Sequence, residues 1–171
     1  MTLEERLFAQ SSGKNLLLDS NLLLVFVTGA SDPRLFGRFK RVSSYSLQDY
    51  ELLVRLLGAF RVLLTTPHIL TEVSNLGNSL PENSKADWFE QLAILLHSEG
   101  MTPGLREHWM PASDLAKTPD FVEFGITDAA LASLSSEALI LTEDRRLSGT
   151  LRARGASVLN FKDIRELEHF L

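Results

Sequence analysis

Short apolar runs alternate along this chain with longer segments in which apolar residues recur every three or four positions. Nearly continuous runs of Val, Ile and Leu are typical of strands buried on both faces of a parallel sheet, whereas the longer spacing is typical of amphipathic helices. The predicted strands cover residues 15–18, 62–65, 138–142 and 157–161, with 106–110 as a weaker candidate for an edge strand.

Local capping signals indicate where the predicted helices begin and end. Ser46, followed three residues later by Asp49, predicts the start of a helix over residues 47–59. Thr66 followed by Pro67 predicts a cap and a proline at the first helical position, directly after the second strand. The remaining predicted helices cover 81–99, 128–135 with Thr127 as its cap, 144–154 with Gly155 as its stop, and 164–170.

This alternation predicts an α/β fold, in which a central parallel sheet of about five strands is flanked by helices on both faces. The chain contains no internal repeat, low-complexity tract or linker, so a single domain over residues 1–171 is expected. In sheets of this kind, ligands bind outside the carboxyl ends of the strands. Polar residues that directly follow a strand are therefore the first candidates for a functional site.

Composition and charge restrict the classes of function. With 17 basic and 22 acidic residues, the formal net charge is −5, which argues against a general binder of nucleic-acid backbones but not against an enzyme that binds cations. The absence of cysteine excludes disulfide bonds and thiolate metal sites and fits a reducing compartment. The N-terminus lacks the order of a signal peptide, and the longest apolar run, 22–27, is too short to span a bilayer. A cytoplasmic protein with no membrane partner is expected.

Four acidic residues fall at the ends of predicted elements. Asp19 directly follows the first strand, and Asp144 follows the strand over 138–142. Glu72 lies about one and a half turns into the helix after the second strand, and Asp128 starts a later helix. Carboxylates that converge at one edge of a sheet repel one another unless cations lie between them, and an all-oxygen site suits Mg²⁺ or Mn²⁺. Such ions can activate water and stabilise the leaving oxygen of a phosphodiester.

Each acid, taken alone, also has a simpler explanation. Asp19 and Asp144 are suited to cap helices, and Asp128 is a favoured first-turn residue beside a helix dipole. Glu72 is an ordinary residue for a solvated helix surface. The functional interpretation depends on the set, because the four acids occupy the positions that a site at the strand ends requires.

The segments around these acids resemble the four motifs of the PIN-domain nucleases, a family that includes the VapC-type toxin ribonucleases. The segments are Leu17-Leu18-Asp19-Ser20-Asn21, Thr71-Glu72, Gly125-Ile126-Thr127-Asp128-Ala129-Ala130 and Leu141-Thr142-Glu143-Asp144. The resemblance extends from residue 15 to residue 161 and implies a central parallel sheet, dependence on Mg²⁺ or Mn²⁺, and an RNA substrate. The catalytic metal ligands that it implies are Asp19, Glu72, Asp128 and Asp144, with Thr142 and Asn21 as polar helpers.

The resulting hypothesis is a divalent-metal-dependent endoribonuclease that acts as the toxin of a toxin–antitoxin pair. The alternatives are a PIN-like RNA-processing nuclease outside such a system, a relative that cleaves DNA flaps, and a catalytically silent scaffold that binds RNA or protein. A phosphate-accepting receiver domain fits less well, because its acidic pair is absent and Lys162 is the sole candidate for its lysine. The resemblance further implies a homodimer and a cognate antitoxin, with Leu22, Leu23 and Phe26 as a candidate apolar contact patch.

The segment 29–45 is longer than its counterpart in the compact toxins of the family. It carries four basic residues interleaved with two phenylalanines, and this combination is a candidate for contact with RNA or with a partner. A solvated helix face with its aromatic rings in the core is the alternative, and both remain open. The residues are Arg34, Phe36, Arg38, Phe39, Lys40 and Arg41.

Two further groups lie close to the candidate acids in the sequence. Arg145 and Arg146 directly follow Asp144 and are candidates for contact with a substrate phosphate, with a charged helix surface as the alternative. His68 could approach the site from the turn at Pro67, although a surface or capping role is favoured.

Overall fold

The computed structural model describes residues 13–101 and 103–168. Its strands are β1 (Asn15–Leu18), β2 (Val62–Thr65), β3 (Gly104–Glu107), β4 (Ala138–Thr142) and β5 (Val158–Asn160). They form one parallel sheet in the order β3-β2-β1-β4-β5, which confirms the predicted α/β fold. The predicted edge strand is present as β3, although it begins at residue 104 rather than 106.

Helices connect the strands throughout the described ranges. They are α1 (Ser20–Ser31), α2 (Leu47–Gly58), α3 (Pro67–Gly77), α4 (Glu82–Leu96), α5 (Ala112–Leu115), α6 (Pro119–Phe124), α7 (Ile126–Ser133), α8 (Arg145–Ala153) and α9 (Phe161–Glu168). Two short 3₁₀ turns, Pro33–Gly37 and Lys40–Val42, follow α1.

Two of the predicted helix starts are confirmed by their hydrogen bonds. The Ser46 hydroxyl accepts from the Asp49 N–H (3.2 Å), while the Asp49 carboxylate accepts from the Ser46 N–H (2.7 Å), so the pair forms a capping box at α2. The Thr66 hydroxyl accepts from the Ile69 N–H (3.3 Å), and Pro67 is the first residue of α3. Local side chains thus determine where the chain leaves the sheet.

The predicted cap at Thr127 is wrong. Helix α7 begins at Ile126, and Gly125 before it has a φ of 86°, in the region of backbone conformation that favours glycine. Gly125 therefore ends α6 and starts α7, earlier than the capping pattern indicates. As a result, Asp128 is the third residue of α7 rather than the first.

Other boundaries shift for equally local reasons. The predicted helix over 81–99 is α4, which starts after Pro81 and ends at Leu96, because the chain turns there toward β3. Helix α9 starts at Phe161 rather than residue 164, since the Asn160 side chain accepts from the Lys162 N–H (3.0 Å) and caps it. Residues 169 and 170 of the predicted last helix lie outside the described residues.

Strand β1 is the centre of the sheet and the point where the strand order reverses. It pairs with β2 on one side and with β4 on the other, with Leu18 opposite Leu141. The Asp19 N–H donates to the Leu141 carbonyl (3.1 Å) and extends this pairing by one residue. The crevice between the carboxyl ends of β1 and β4 is the topological switch point, where ligands bind in open α/β sheets.

The predicted apolar contact patch on the first helix is wrong. Leu22 and Leu23 are buried, and Phe26 is half-buried against the core. Helix α1 packs against α2, α3 and α4, and the Trp88 indole N–H of α4 donates to the Thr28 hydroxyl (3.0 Å). A helix that is apolar on nearly all sides is a core helix, so its leucines are covered by the protein itself.

Candidate active site

The Asp19 carboxylate lies at the carboxyl end of the central strand, and Asp19 has 7% of its surface exposed. Its Oδ1 accepts from the Leu22 N–H (2.8 Å) and caps α1, while its Oδ2 accepts from the Glu143 N–H (3.0 Å). Burial raises the pKa of Asp19, against a smaller lowering by the Thr142 hydroxyl and by these two N–H groups. The cap explanation for Asp19 is correct, but its second oxygen also ties α1 to the end of β4.

The end of β4 brings Asp144 beside Asp19. Thr142 is buried, and its hydroxyl accepts from the Asp144 N–H (3.0 Å). The Asp144 Oδ1 accepts from the Leu147 N–H (2.9 Å), so Asp144 does cap α8. Asp144 is nevertheless exposed, and a carboxylate that accepts one hydrogen bond retains further acceptor sites for a ligand.

Glu72 is positioned by a residue to which the sequence analysis assigned no role. The buried Ser20 hydroxyl, at the start of α1, donates to the Glu72 Oε2 (3.0 Å). This contact holds the exposed Glu72 of α3 next to the residue that follows Asp19. Asn21 is the next residue of α1 and is exposed. The small polar residues directly after Asp19 were the available signal for this contact.

Asp128 shows that the four acids converge. Its carboxyl is half-buried, and its pKa is raised from 3.8 to about 6, first by burial and then by the negative charges of Asp144, Asp19 and Glu72. Repulsion of this kind falls off with distance, so it requires the other three carboxylates to lie near Asp128. The other three acids therefore lie within electrostatic range of Asp128.

The donor chemistry at this point fits a hard divalent cation, because it consists of carboxylate and hydroxyl oxygens. Within residues 13–101 and 103–168, however, no three acidic or histidine side chains are grouped tightly enough to hold a metal ion. Asp19, Glu72 and Asp144 each accept a hydrogen bond from the chain itself. The acids thus interact electrostatically with Asp128, but the described residues do not form a preassembled ligand shell.

A buried ionic network supports the backbone that holds Asp19. The Tyr45 hydroxyl donates to the Glu143 Oε2 (2.8 Å), and Arg165 donates to the Glu143 Oε1 (3.2 Å). Arg165 also pairs with the buried Asp49 at 2.8 Å, and its guanidinium lies 5.3 Å from the centre of the Tyr45 ring. The arginine compensates the charge of Glu143 and thereby fixes the residue whose N–H contacts Asp19. Glu143 lies inside the fourth resembling motif, but its partners are distant in the sequence.

His68 does not cap its helix, because that role belongs to Thr66, and it lies half-buried beside the candidate acids. Its ring lines a cleft of about 540 Å³ between α3 and α7, which Glu72 and Asp128 also line. The His68 Nδ1 atom is buried and has no hydrogen-bond partner among the described residues. His68 and Glu72 are four residues apart on one helix, so they share a face.

Arg145 and Arg146 are paired with acids of the protein itself. Arg145 lies 3.5 Å from Asp163 and 3.6 Å from Glu166, both in α9. Arg146 lies 3.3 Å from Glu123 in α6. The charged-surface explanation accounts for both arginines, and contact between Arg145 and a substrate phosphate stays a prediction.

The basic segment forms the two 3₁₀ turns beyond the far end of α1. Phe36 and Phe39 are buried, as the alternative explanation expected, and Arg34 pairs with Asp32 at 2.9 Å. Helix α1 has 12 residues, so at 1.5 Å per residue this end lies about 18 Å from Asp19. The segment lines a separate cleft of about 610 Å³. Its lining comprises Arg38, Phe39, Lys40, Arg41, Ser79 and Pro81.

Comparisons with family models, curated proteins and solved structures return no match for this chain. The resemblance to PIN-domain nucleases therefore stays a prediction from the quoted motifs. In the portion of the chain covered by the structure, no helix is both long enough and apolar enough to cross a membrane.

The repulsion at Asp128 predicts a pH-dependent gain in stability for Asp128→Asn. A folded-state pKa of about 6, raised from 3.8, means that the contribution of Asp128 to stability is complete below 3.8 and is lost as the pH rises through about 6. The neutral variant does not suffer this loss. In EDTA, its melting temperature should exceed that of wild type at about pH 7.5. The difference between the two melting temperatures should be clearly smaller at about pH 5.

Asp87→Asn is the matched control, because Asp87 is exposed on α4 and the substitution makes the same change in charge. It should give no comparable pH-dependent gain. A melting temperature of Asp128→Asn that equals or falls below that of wild type at the higher pH would contradict the raised pKa of Asp128, which burial and the neighbouring acids produce.

Proposed function

We propose that the chain is a divalent-metal-dependent endoribonuclease of the PIN-like type. The residues that would hold Mg²⁺ or Mn²⁺ are Asp19, Glu72, Asp128 and Asp144. The observation that carries this proposal is the position of Asp19 and Asp144 at the switch point of the sheet, with Glu72 and Asp128 lining the adjoining cleft. Grouped carboxylates destabilise a fold unless a cation balances them, and a bound cation reverses this effect.

The four acids differ in how firmly the protein holds them. Asp19 is buried and receives two backbone N–H groups, so it is the fixed member of the set. Glu72 and Asp144 are exposed and are the members that face an incoming substrate. A bound Mg²⁺ or Mn²⁺ supplies a Lewis acid and an activated water for hydrolysis of a phosphodiester. Cation binding would displace the proton of Asp128, so metal affinity should rise with pH.

RNA is the proposed substrate. The proposed role is that of a cytoplasmic toxin that forms a homodimer and is bound by a cognate antitoxin. The four motifs and their order support these proposals. The leucines of α1 that were predicted to contact a partner are buried, so they do not supply the surface for it. The exposed side chains of Ile94 and Leu96 on α4 are an alternative apolar surface for such a contact.

A second candidate is a PIN-like scaffold that binds RNA or protein without cleaving it. It is favoured by one observation, namely that the described residues contain no group of three side chains arranged to hold a metal. The two candidates differ in a single property, because only the nuclease requires the acids and a cation for its activity.

Substitution of Asp19 tests the nuclease directly. Asp19→Asn should reduce Mn²⁺-dependent cleavage of a single-stranded RNA by at least about 100-fold, the lower end of what a positioned catalytic group contributes. The amide retains an oxygen for the Leu22 N–H but turns an N–H group toward the Glu143 N–H, so folding of the variant is checked by circular dichroism. Asp128→Asn, which relieves repulsion, is a second inactive variant that folds.

Asp87→Asn serves again as the control and should cleave like wild type, since Asp87 lies on the exposed face of α4. Purification of all four proteins in parallel excludes a contaminating nuclease. Equal cleavage by Asp19→Asn and wild type would refute the nuclease, as would cleavage that persists in excess EDTA.

The basic segment is proposed as a binding surface for the RNA backbone away from the cleaved bond. Lys40 and Arg41 line the 610 Å³ cleft, so replacing both by Ala should weaken RNA binding in EDTA for every sequence. The salt dependence of log Kd should become shallower by about 0.7 for each phosphate of a single strand that the variant no longer neutralises. The matched control is Lys85→Ala with Lys117→Ala, two ion-paired lysines elsewhere on the surface. An unchanged slope in the first double variant would remove the segment from the RNA site.

A further inference from the structure

The cleft of about 540 Å³ between α3 and α7, here called the α3–α7 cleft, opens beside the acids. Glu72 and Asp128 belong both to its lining and to the acidic group, so any substrate bonded at the acids has the cleft within reach. Its volume falls in the range of about 300–1,000 Å³ that is usual for small-molecule sites. Neither helix capping nor the acidic group accounts for the rest of its lining.

One wall of the cleft is polar and belongs to α3. His68, Thr71 and Asn75 repeat at three- and four-residue intervals, so they lie on the same helix face as Glu72. The buried His68 Nδ1 has no hydrogen-bond partner in the described chain, and a buried polar atom without a partner is costly in free energy. Thr71 and Asn75 are exposed, so this wall offers a hydroxyl oxygen and an amide to a ligand in the cleft.

The opposite wall is apolar and aromatic. Phe124 and Ile126 flank the start of α7, and Leu76 closes the cleft from α3. The Arg146 guanidinium lies 5.0 Å from the centre of the Phe124 ring and pairs with Glu123, so the ring is held in place. Aromatic rings and arginine planes are the groups on which unstacked RNA bases rest.

We propose that the α3–α7 cleft is a nucleobase subsite, which takes one unstacked base of a single-stranded RNA next to the cleaved phosphodiester. The proposal rests on the nuclease function proposed above. The base would lie against Phe124 and direct its hydrogen-bonding edge to the exposed Asn75. Flat aromatic ligands with a polar edge match a cleft that has one apolar wall and one polar wall.

The polar wall also predicts which bases fit. The Thr71 hydroxyl donates to the Pro67 carbonyl (2.7 Å), so only its acceptor capacity remains for a ligand. The Asn75 amide both donates and accepts, and this combination pairs well with the amino-bearing edge of adenine. Uracil offers a single N–H donor between two carbonyl acceptors, and these acceptors find few donors beside the Thr71 oxygen and the Glu72 carboxylate. The cleft should therefore prefer amino-bearing bases, adenine above all, to uracil.

The test uses free nucleosides, which carry no phosphate and are not repelled by the acids. Adenosine and uridine are titrated separately into ¹⁵N-labelled protein in EDTA, and backbone amide shifts are followed by NMR. Saturable shifts should centre on the lining of the cleft, and adenosine should bind at least about fivefold more tightly than uridine, as expected for one bidentate base contact. Asn75→Ala should bring the two affinities within about twofold of each other.

Asn78→Ala is the matched control, since Asn78 is exposed at the end of α3 and outside the lining of the cleft. It should retain the preference for adenosine. Phe124→Leu should weaken the binding of both nucleosides. If the partly buried Phe124 position does not tolerate the change, the substitution of the exposed Asn75 still tests the subsite. Absence of saturable shifts in the cleft, equal affinity for both nucleosides, or an unaltered preference in Asn75→Ala would overturn the subsite. Because no phosphodiester is cleaved in this experiment, its outcome does not bear on nuclease activity, which the Asp19→Asn assay tests separately.

Discussion

The organisation of this protein depends on one buried carboxylate at the end of the central strand. Asp19 must lie in a region that disfavours its charge, and it remains there because two backbone N–H groups from different elements contact its two oxygens. One N–H starts α1, and the other belongs to the turn after β4. The same side chain therefore begins a helix and joins the two strands between which the sheet order reverses.

The remaining three acids form an acidic surface beside Asp19. Glu72 is held through Ser20, and Asp144 through Leu147, so each acid is fixed by the start of a helix rather than by a flexible loop. Their charges raise the pKa of Asp128, which means that the fold tolerates repulsion at this position. Proteins that retain such repulsion commonly do so for function, because an apolar or neutral residue would be more stable there. The proposed nuclease function would account for this repulsion, and the half-buried ion pair of Glu143 and Arg165 supports the backbone that contacts Asp19.

The sequence predicts the sheet well for a physical reason. Strands β1 and β4 are continuous buried runs with polar residues directly after them, so their bounds and the positions of Asp19 and Asp144 follow from local patterns. The helix start at Ile126 was missed because it depends on the backbone of Gly125 rather than on a capping side chain. Burial of Leu22 and Leu23 depends on helices that arrive later in the chain. The contact between Arg165 and Asp49 joins residues 116 positions apart, and no local pattern encodes it.

The central claim, that the four acids form one cation site, is tested most directly by paramagnetic Mn²⁺. Substoichiometric Mn²⁺ broadens the amide signals of the residues nearest to it, so a titration of ¹⁵N-labelled protein locates the ion without reference to catalysis. The account predicts that broadening is strongest at residues 19–21, 71–73, 126–129 and 143–145, which surround the four acids. It should disappear when Mn²⁺ is chelated and should weaken in Asp144→Asn. Broadening that is spread evenly over the acidic surface, or that centres on exposed acids such as Glu82 and Glu166, would contradict the claim.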